Sequence, residues 1–380
     1  PPRSTLSSSS AASDVYKRQY IHLPWCEKRC PYCDFNIEIN KQEGDEEALI
    51  NAILSDLANS KDYINNRKFI SIYFGGGTPS LVSIKVIRRL INKLKNDLLI
   101  HRDCEINFEL NPKEVNEKYI NGLIAAGINR ISIGIQSFDQ ATLSSLERNH
   151  NENDSLKAIE IISAIDSINT TIDLIYGVMG QTLDSLKKDI EIFCNYSIDH
   201  LSLYQLTIEP NTIFYKKKLL LPEERLIADM EKAAKNILNS NQFHQYEVSS
   251  WSKKNKYSNH NLNYWMYGDY LGVGPGAHSK ITINESIKRM IKLKAVQSYI
   301  DNPIKTKDLF IKSESYDLDL AMNLLRIKQG VSFKEIEEKG IYISDTFMDK
   351  RLEGIEKGLL DKEGVKATSI GYKFLNDTIN

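Results

Sequence analysis

The chain has 380 residues, enough for one large domain and a smaller one. Its 49 basic and 50 acidic residues leave a net charge of −1, so no overall field draws it to nucleic acid or to an anionic membrane. No apolar run reaches the length of a membrane span.

Residues 1–19 are rich in Ser and Ala, lack apolar periodicity, and read as a disordered or foreign segment. Tyr20-Ile21-His22-Leu23 is a short strand that runs into Cys26, Cys30 and Cys33, spaced C-x3-C-x2-C. Pro31 disfavours helix there, so the segment reads as a loop wrapped around something three thiolates hold. Thiolates select zinc, copper(I) or an iron–sulfur cluster. A closed zinc site needs a fourth ligand, which could only be His22 or a distant residue. A cubane held by three cysteines leaves one iron open. Clustered reduced cysteines without a secretory signal point to the cytoplasm, and the isolated Cys104 and Cys194 read as buried hydrophobes.

A helical stripe spans Glu46 to Asn59, and Phe69–Phe74 is the second strand, ending in Gly75-Gly76-Gly77-Thr78-Pro79-Ser80. The pattern repeats with strands at Cys104–Glu109, Arg130–Ile135, Thr170–Ile175 and His200–Gln205, and helices between them. Strands alternating with helices imply right-handed βαβ units on a parallel sheet. Six units are too few for a closed eight-stranded barrel, so the expected fold is α/β, a partial (β/α)6 barrel over residues 20–240. Barrels of this kind carry their sites at the C-terminal strand ends. The cysteines, Gly76, Gly77, Thr78, Glu109, Gln136 and Asp173 all fall at such ends. A carboxylate among Ile172, Leu174 and Ile175 needs partners if buried.

Residues 241–315 are aromatic and glycine-rich and read as a connecting region containing His260-Asn261-Leu262-Asn263-Tyr264-Trp265. A histidine can ligate haem iron and flanking aromatics can cover a porphyrin, although such aromatics also serve as packed core. His244 and His278 are further candidate ligands. Residues 316–380 read as a smaller C-terminal α+β domain, winged-helix-like at its end, with helices over Phe333–Lys339 and Thr346–Lys357 and a hairpin to Phe374. Its acids, among them Glu335, Glu338, Asp349 and Glu356, would repel phosphates, so no nucleic-acid partner is expected.

The cysteine spacing after Tyr20-Ile-His-Leu-Pro resembles the signature of radical S-adenosylmethionine (SAM) proteins. The further motifs Gly-Gly-Gly-Thr-Pro-Ser, Glu-Leu-Asn-Pro, Gln-Ser-Phe and Gln205-Leu-Thr-Ile-Glu-Pro210 are similar to those of the oxygen-independent coproporphyrinogen III oxidase family. That resemblance implies a radical SAM barrel with a [4Fe-4S] cluster on Cys26, Cys30 and Cys33 and SAM on its open iron. It implies an electron donor for the cluster, and SAM contacts from Tyr20, Tyr32, Gly76, Gly77, Thr78, Glu109, Gln136, Arg148 and Asp173. The family has two branches. The oxidase branch carries a further cysteine two residues after the third, where this chain has Phe35. Cys-Asp-Phe-Asn and His260-Asn261-x-x-Tyr264-Trp265 resemble the heme-chaperone branch, which implies heme as ligand and heme-accepting proteins as partners, without oxidase activity or a catalytic residue. Oxidative decarboxylation of coproporphyrinogen III is the alternative activity. Gly177-Val178-Met179-Gly180 departs from the family's Gly-Leu-Pro-Gly. Peripheral membrane contact and a homodimer are left open.

Overall fold

The computed structural model describes residues 17–64, 67–253, 256–283, 286–310 and 313–379. Six strands lie side by side in chain order, all parallel: β1 (Lys17–Leu23), β2 (Phe69–Gly76), β3 (Ile100–Leu110), β4 (Arg130–Gln136), β5 (Asn169–Tyr176) and β6 (His200–Gln205). Helices Asp45–Asn59, Ile84–Asp97, Glu117–Ala126, Glu152–Ser163, Leu183–Cys194 and Glu224–Ser240 follow them in turn. Each helix is specified locally. Ile84–Asp97 buries Val86, Ile87, Leu90, Ile91 and Leu94 on one stripe. Glu152–Ser163 begins with a reciprocal Asn151–Asp154 capping box. These stripes pack on the sheet in one continuous core with Ile21, Phe74, Phe108, Ile133 and Leu201.

The structure moves three boundaries. The first strand begins at Lys17, not Tyr20: Arg18 and Gln19 are buried, and Gln19 Nε2 donates to the Leu271 carbonyl at 3.0 Å. Residues 1–16 lie outside the described residues. Region 241–315 supplies strands to both edges of the same sheet. β7 (His244–Gln245) and β8 (Ser250–Ser252) lie beyond β6, while β9 (Tyr270–Val273) runs parallel beside β1. β10 (His278–Ile283), β11 (Ser286–Lys292) and β12 (Thr306–Phe310) continue antiparallel from β9. The described residues thus form a mixed, open, twelve-stranded sheet. The third change is at the C-terminus, where the expected hairpin reduces to the bridges Leu360↔Ala367 and Val331↔Val365. The Thr368 side chain accepts from Gly371 N and starts the helix Ser369–Lys373 instead.

Helices Ser313–Leu324, Phe333–Glu338 and Asp345–Glu356 pack around Leu320, Leu324, Ile336, Phe347 and Val365, an apolar cluster that also takes in Tyr267 and Ile287. Among the described residues no helix is long and apolar enough to cross a membrane.

Candidate cofactor cavity

The C-terminal ends of β1–β6 surround a cavity of about 340 Å³. The loop after β1 forms one wall. Its neck is closed by Cys26 N donating to the Glu38 carbonyl at 2.9 Å and Glu38 N to the Pro24 carbonyl at 2.8 Å. Cys26, Cys30 and Cys33 are half-buried and line the cavity together. Thr78 Oγ1 lies 3.5 Å from Cys26 Sγ, and Arg148 Nη1 donates to Cys30 Sγ at 3.2 Å. Burial pushes the Cys26 thiol up and the Cys33 thiol to about 11, so metal entry at these sulfurs displaces protons.

His22 does not complete a zinc site. Its Nε2 donates to the Asn36 carbonyl at 2.7 Å and its Nδ1 accepts from Tyr20 OH at 3.1 Å, leaving neither nitrogen for a metal. No three His, Cys, Asp or Glu side chains among the described residues converge on a single-ion position. Three thiols, spread along a wall with donors at two of the sulfurs and open cavity beyond, fit a cluster with one unliganded iron better than a closed zinc knot. Asn36 also suspends the loop: its Nδ2 donates to the carbonyls of Pro275 at 3.0 Å and Lys294 at 2.8 Å. Gly274 N in turn donates to Tyr299 OH at 3.0 Å, and that hydroxyl donates to the buried Asp56 at 2.8 Å.

The glycine turn after β2 runs against this loop. A Cβ on Gly77 would sit 2.5 Å from the Trp25 carbonyl oxygen, and Gly76 holds φ at +115° with its α-carbon against the His22 ring. Only glycine allows that approach. Glu109, at the end of β3, accepts from Tyr73 OH at 2.6 Å and from Gly76 N at 3.3 Å. Burial pushes its carboxyl up to about 7; Tyr73 and Gly76 pull it back and Asp173 adds to the rise. Burial also lifts Asp173 to about 6, against hydrogen bonds from Ser132 and Ser202. Gln136 ends β4 at φ 65°, a left-handed conformation costing roughly 1–2 kcal/mol outside glycine. Arg148 reaches in from the following segment, where Nη2 donates to Asn111 Oδ1 at 2.9 Å and the Gly134 carbonyl at 3.1 Å, and Nη1 donates to Tyr32 OH at 3.2 Å.

The expected residues Tyr32, Gly76, Gly77, Thr78, Glu109, Gln136, Arg148, Asp173 and Asn261 therefore share one cavity with the cysteines. Tyr20 sits one layer out, stacked on Tyr73 at 6.1 Å between ring centroids. His260 lies behind Tyr73, the ring centroids 4.2 Å apart, and its Nδ1 is buried and makes no hydrogen bond among the described residues. Burial, reinforced by Arg18, holds its imidazole neutral. Tyr264 is partly exposed, whereas Trp265 packs against the C-terminal apolar cluster with Arg326 4.2 Å from its ring. These two aromatics do not line the cavity.

Sequence reasoning missed Asn107, Ser132, Thr171, His200, Ser202 and Tyr204, all of which line the same cavity. Tyr204 lies at the end of β6, and the others lie two or four residues before a strand-end position, where strand parity puts them on the same face. It also missed the floor. Glu105, from the N-terminal half of β3, accepts the backbone N–H of Asn259 at 3.1 Å and of His260 at 3.0 Å. Buried Arg130 pairs with Glu105 at 3.4 Å and donates to the Tyr257 carbonyl at 3.2 Å. The start of helix Asn259–Trp265 is thereby fixed beneath the cavity, bringing Ser258 and Asn261 to its lining.

Residues 20–193 match the family model of the radical SAM superfamily. A protein named heme chaperone HemW from Buchnera aphidicola subsp. Schizaphis graminum is 36% identical over 95% of this chain and 96% of its own length. The protein of the same name from Escherichia coli strain K12 is 32% identical over 95% of this chain and 96% of its own length. Among solved structures, the coproporphyrinogen III oxidase HemN of Escherichia coli superposes with a TM-score of 0.79, covering 97% of this chain and 90% of that one at 19% identity. That last likeness speaks for the fold alone.

Proposed function

The chain belongs to the HemW family within the radical SAM superfamily, and on that premise we propose that it is a heme chaperone that carries a [4Fe-4S] cluster and SAM and passes heme to acceptor proteins. The observation that carries the cofactor part is the convergence of three thiols with Gly76, Glu109, Gln136, Arg148 and Asp173 on one cavity. Cys26, Cys30 and Cys33 would hold the cluster. When bound, the cluster with SAM at its open iron supplies one-electron chemistry. The protein's own part is electrostatic. Arg148 places a cation against the Cys30 sulfur and stays fixed by Asn111 and Gly134. Glu109 and Asp173 give a cationic ligand two buried acceptors.

Heme binding is supported by the relatives' name and by the state of His260. Its imidazole is held neutral, the form that ligates iron, and it lies behind Tyr73, off the cavity lining. The test is anaerobic reconstitution followed by three assays on one preparation: acid-labile sulfide with zinc analysis, hemin titration, and incubation with coproporphyrinogen III, reductant and SAM. The expected result is sulfide with little zinc, saturable hemin binding, and no decarboxylation. Conversion of coproporphyrinogen III would overturn the chaperone reading. Stoichiometric zinc without sulfide would overturn the cluster.

A further inference from the structure

After β6 the chain runs Ile213-Phe214-Tyr215-Lys216-Lys217-Lys218-Leu219-Leu220-Leu221-Pro222. Part of this segment is an anchor. Phe214 is buried and Leu219 half-buried in an apolar cluster with Leu146, Val178, Leu206 and Tyr32. Phe214 N donates to the Pro31 carbonyl at 2.9 Å, and Tyr32 lines the cofactor cavity. The segment is therefore clamped onto the cysteine loop beside the cavity.

The remaining apolar side chains are exposed. Leu220 is 90% exposed, Tyr215 55%, Ile213 39% and Leu221 38%. Lys216, Lys217 and Lys218 are exposed among them, and no acid lies between Glu209 and Glu223, which bracket the segment. Lys217 pairs with Glu147 at 2.9 Å, while Lys216 and Lys218 make no ion pair among the described residues. Phe35, 58% exposed and following Asp34, adds a further apolar side chain on the cysteine loop, which also carries Glu27, Lys28 and Arg29.

Two kinds of partner want exposed leucine, and composition separates them. Protein interfaces are depleted in lysine. Leucine and aromatic residues beside clustered lysines are the composition that lies in the boundary of an anionic bilayer, where tyrosine sits at headgroup level. We propose that Ile213–Leu221 is a membrane-docking segment. Leu220, Leu221, Ile213 and Tyr215 enter the headgroup–acyl boundary, the lysines meet anionic headgroups, and the cysteine-loop side of the cavity is held at the lipid surface. The inference does not depend on the heme reading.

The test is cosedimentation of the full chain with vesicles of phosphatidylcholine alone and of equal parts phosphatidylcholine and phosphatidylglycerol. The chain is expected to bind the anionic vesicles and to release in high salt. The pair Leu220→Ser with Leu221→Ser should lower partitioning at least about tenfold. Lys216→Gln with Lys218→Gln should lower it roughly fivefold per lysine on anionic vesicles only. All four side chains are exposed, so the melting temperature and hemin affinity should stay at wild-type values. Failure of the wild type to bind anionic vesicles overturns the proposal, as does equal sedimentation of the variants. A loss of hemin affinity in the lysine variant, without vesicle binding by the wild type, would assign the segment to porphyrin carboxylates and overturn it too.

Discussion

At the C-terminal ends of the parallel strands Glu109, Asp173, Gln136 and the three thiols face an open cavity, whereas at the N-terminal ends Arg18, Glu105 and Arg130 are sealed from water. The lower groups direct their polarity inward. Glu105 takes two backbone N–H groups and a guanidinium, and Arg130 takes a carboxylate, a carbonyl and Thr171 Oγ1. The upper carboxylates are left short of cationic partners, and both are pushed up toward neutrality. A barrel whose lower end is closed around the Glu105–Arg130 pair and whose upper carboxylates lack a cation keeps stability at one end and ligand chemistry at the other.

The largest effect should come from breaking the closed layer. Glu105→Ala leaves Arg130 buried without its carboxylate and the start of the Asn259 helix without its acceptor, and should cost about 3–5 kcal/mol in urea unfolding. A loss below about 1 kcal/mol would mean the floor is not held as described. A smaller effect of opposite sense is expected above. Glu109 has a folded-state pKa of about 7, above its unfolded value, so its charged form is disfavoured in the fold. Its unfavourable contribution is absent below the unfolded value, grows as pH rises through about 7, and reaches at most about 3 kcal/mol. The metal-free Glu109→Gln variant should therefore be more stable than wild type at pH ~8 and equal to it at pH ~4. Identical unfolding midpoints across that range would refute the shift. Smallest should be Asn36→Ala, which removes two hydrogen bonds and is expected to cost about 1–2 kcal/mol. It should also speed cluster loss on exposure to chelator, while Asn36→Asp, unable to donate, should behave like Ala. A cluster as durable as wild type in both variants would show that the strut to Pro275 and Lys294 does not position the loop.

What the sequence makes legible follows the same division. The cysteine loop, the glycine turn and the strand-end residues Glu109, Gln136 and Asp173 are local signals, because each lies within a few residues of the strand that places it. The floor is not local. Glu105 and His260 are far apart in the chain, and β9 pairs with β1 although Tyr270 and Arg18 are farther apart still. Strands of two and four residues, such as β7 and β9, carry almost no period of their own. His22 stays open as the fourth ligand of a zinc alternative for a related reason: its partners Tyr20 and Asn36 are near in sequence, but nothing in the residue types fixes both ring nitrogens. Trp265 follows the same rule, since its place in the C-terminal cluster depends on Arg326 and neighbours that only the fold brings together.

The proposed assignment is that His260 ligates heme independently of the cluster on Cys26, Cys30 and Cys33. It is tested most directly by one paired measurement: hemin titration followed in the Soret band, beside electron paramagnetic resonance of the reduced cluster with and without SAM, on His260→Ala and Cys30→Ala. The account predicts that His260→Ala loses the imidazole-ligated Soret spectrum yet keeps the cluster signal and its response to SAM, whereas Cys30→Ala loses the cluster signal. A His260→Ala protein that binds hemin with unchanged affinity and spectrum would contradict it.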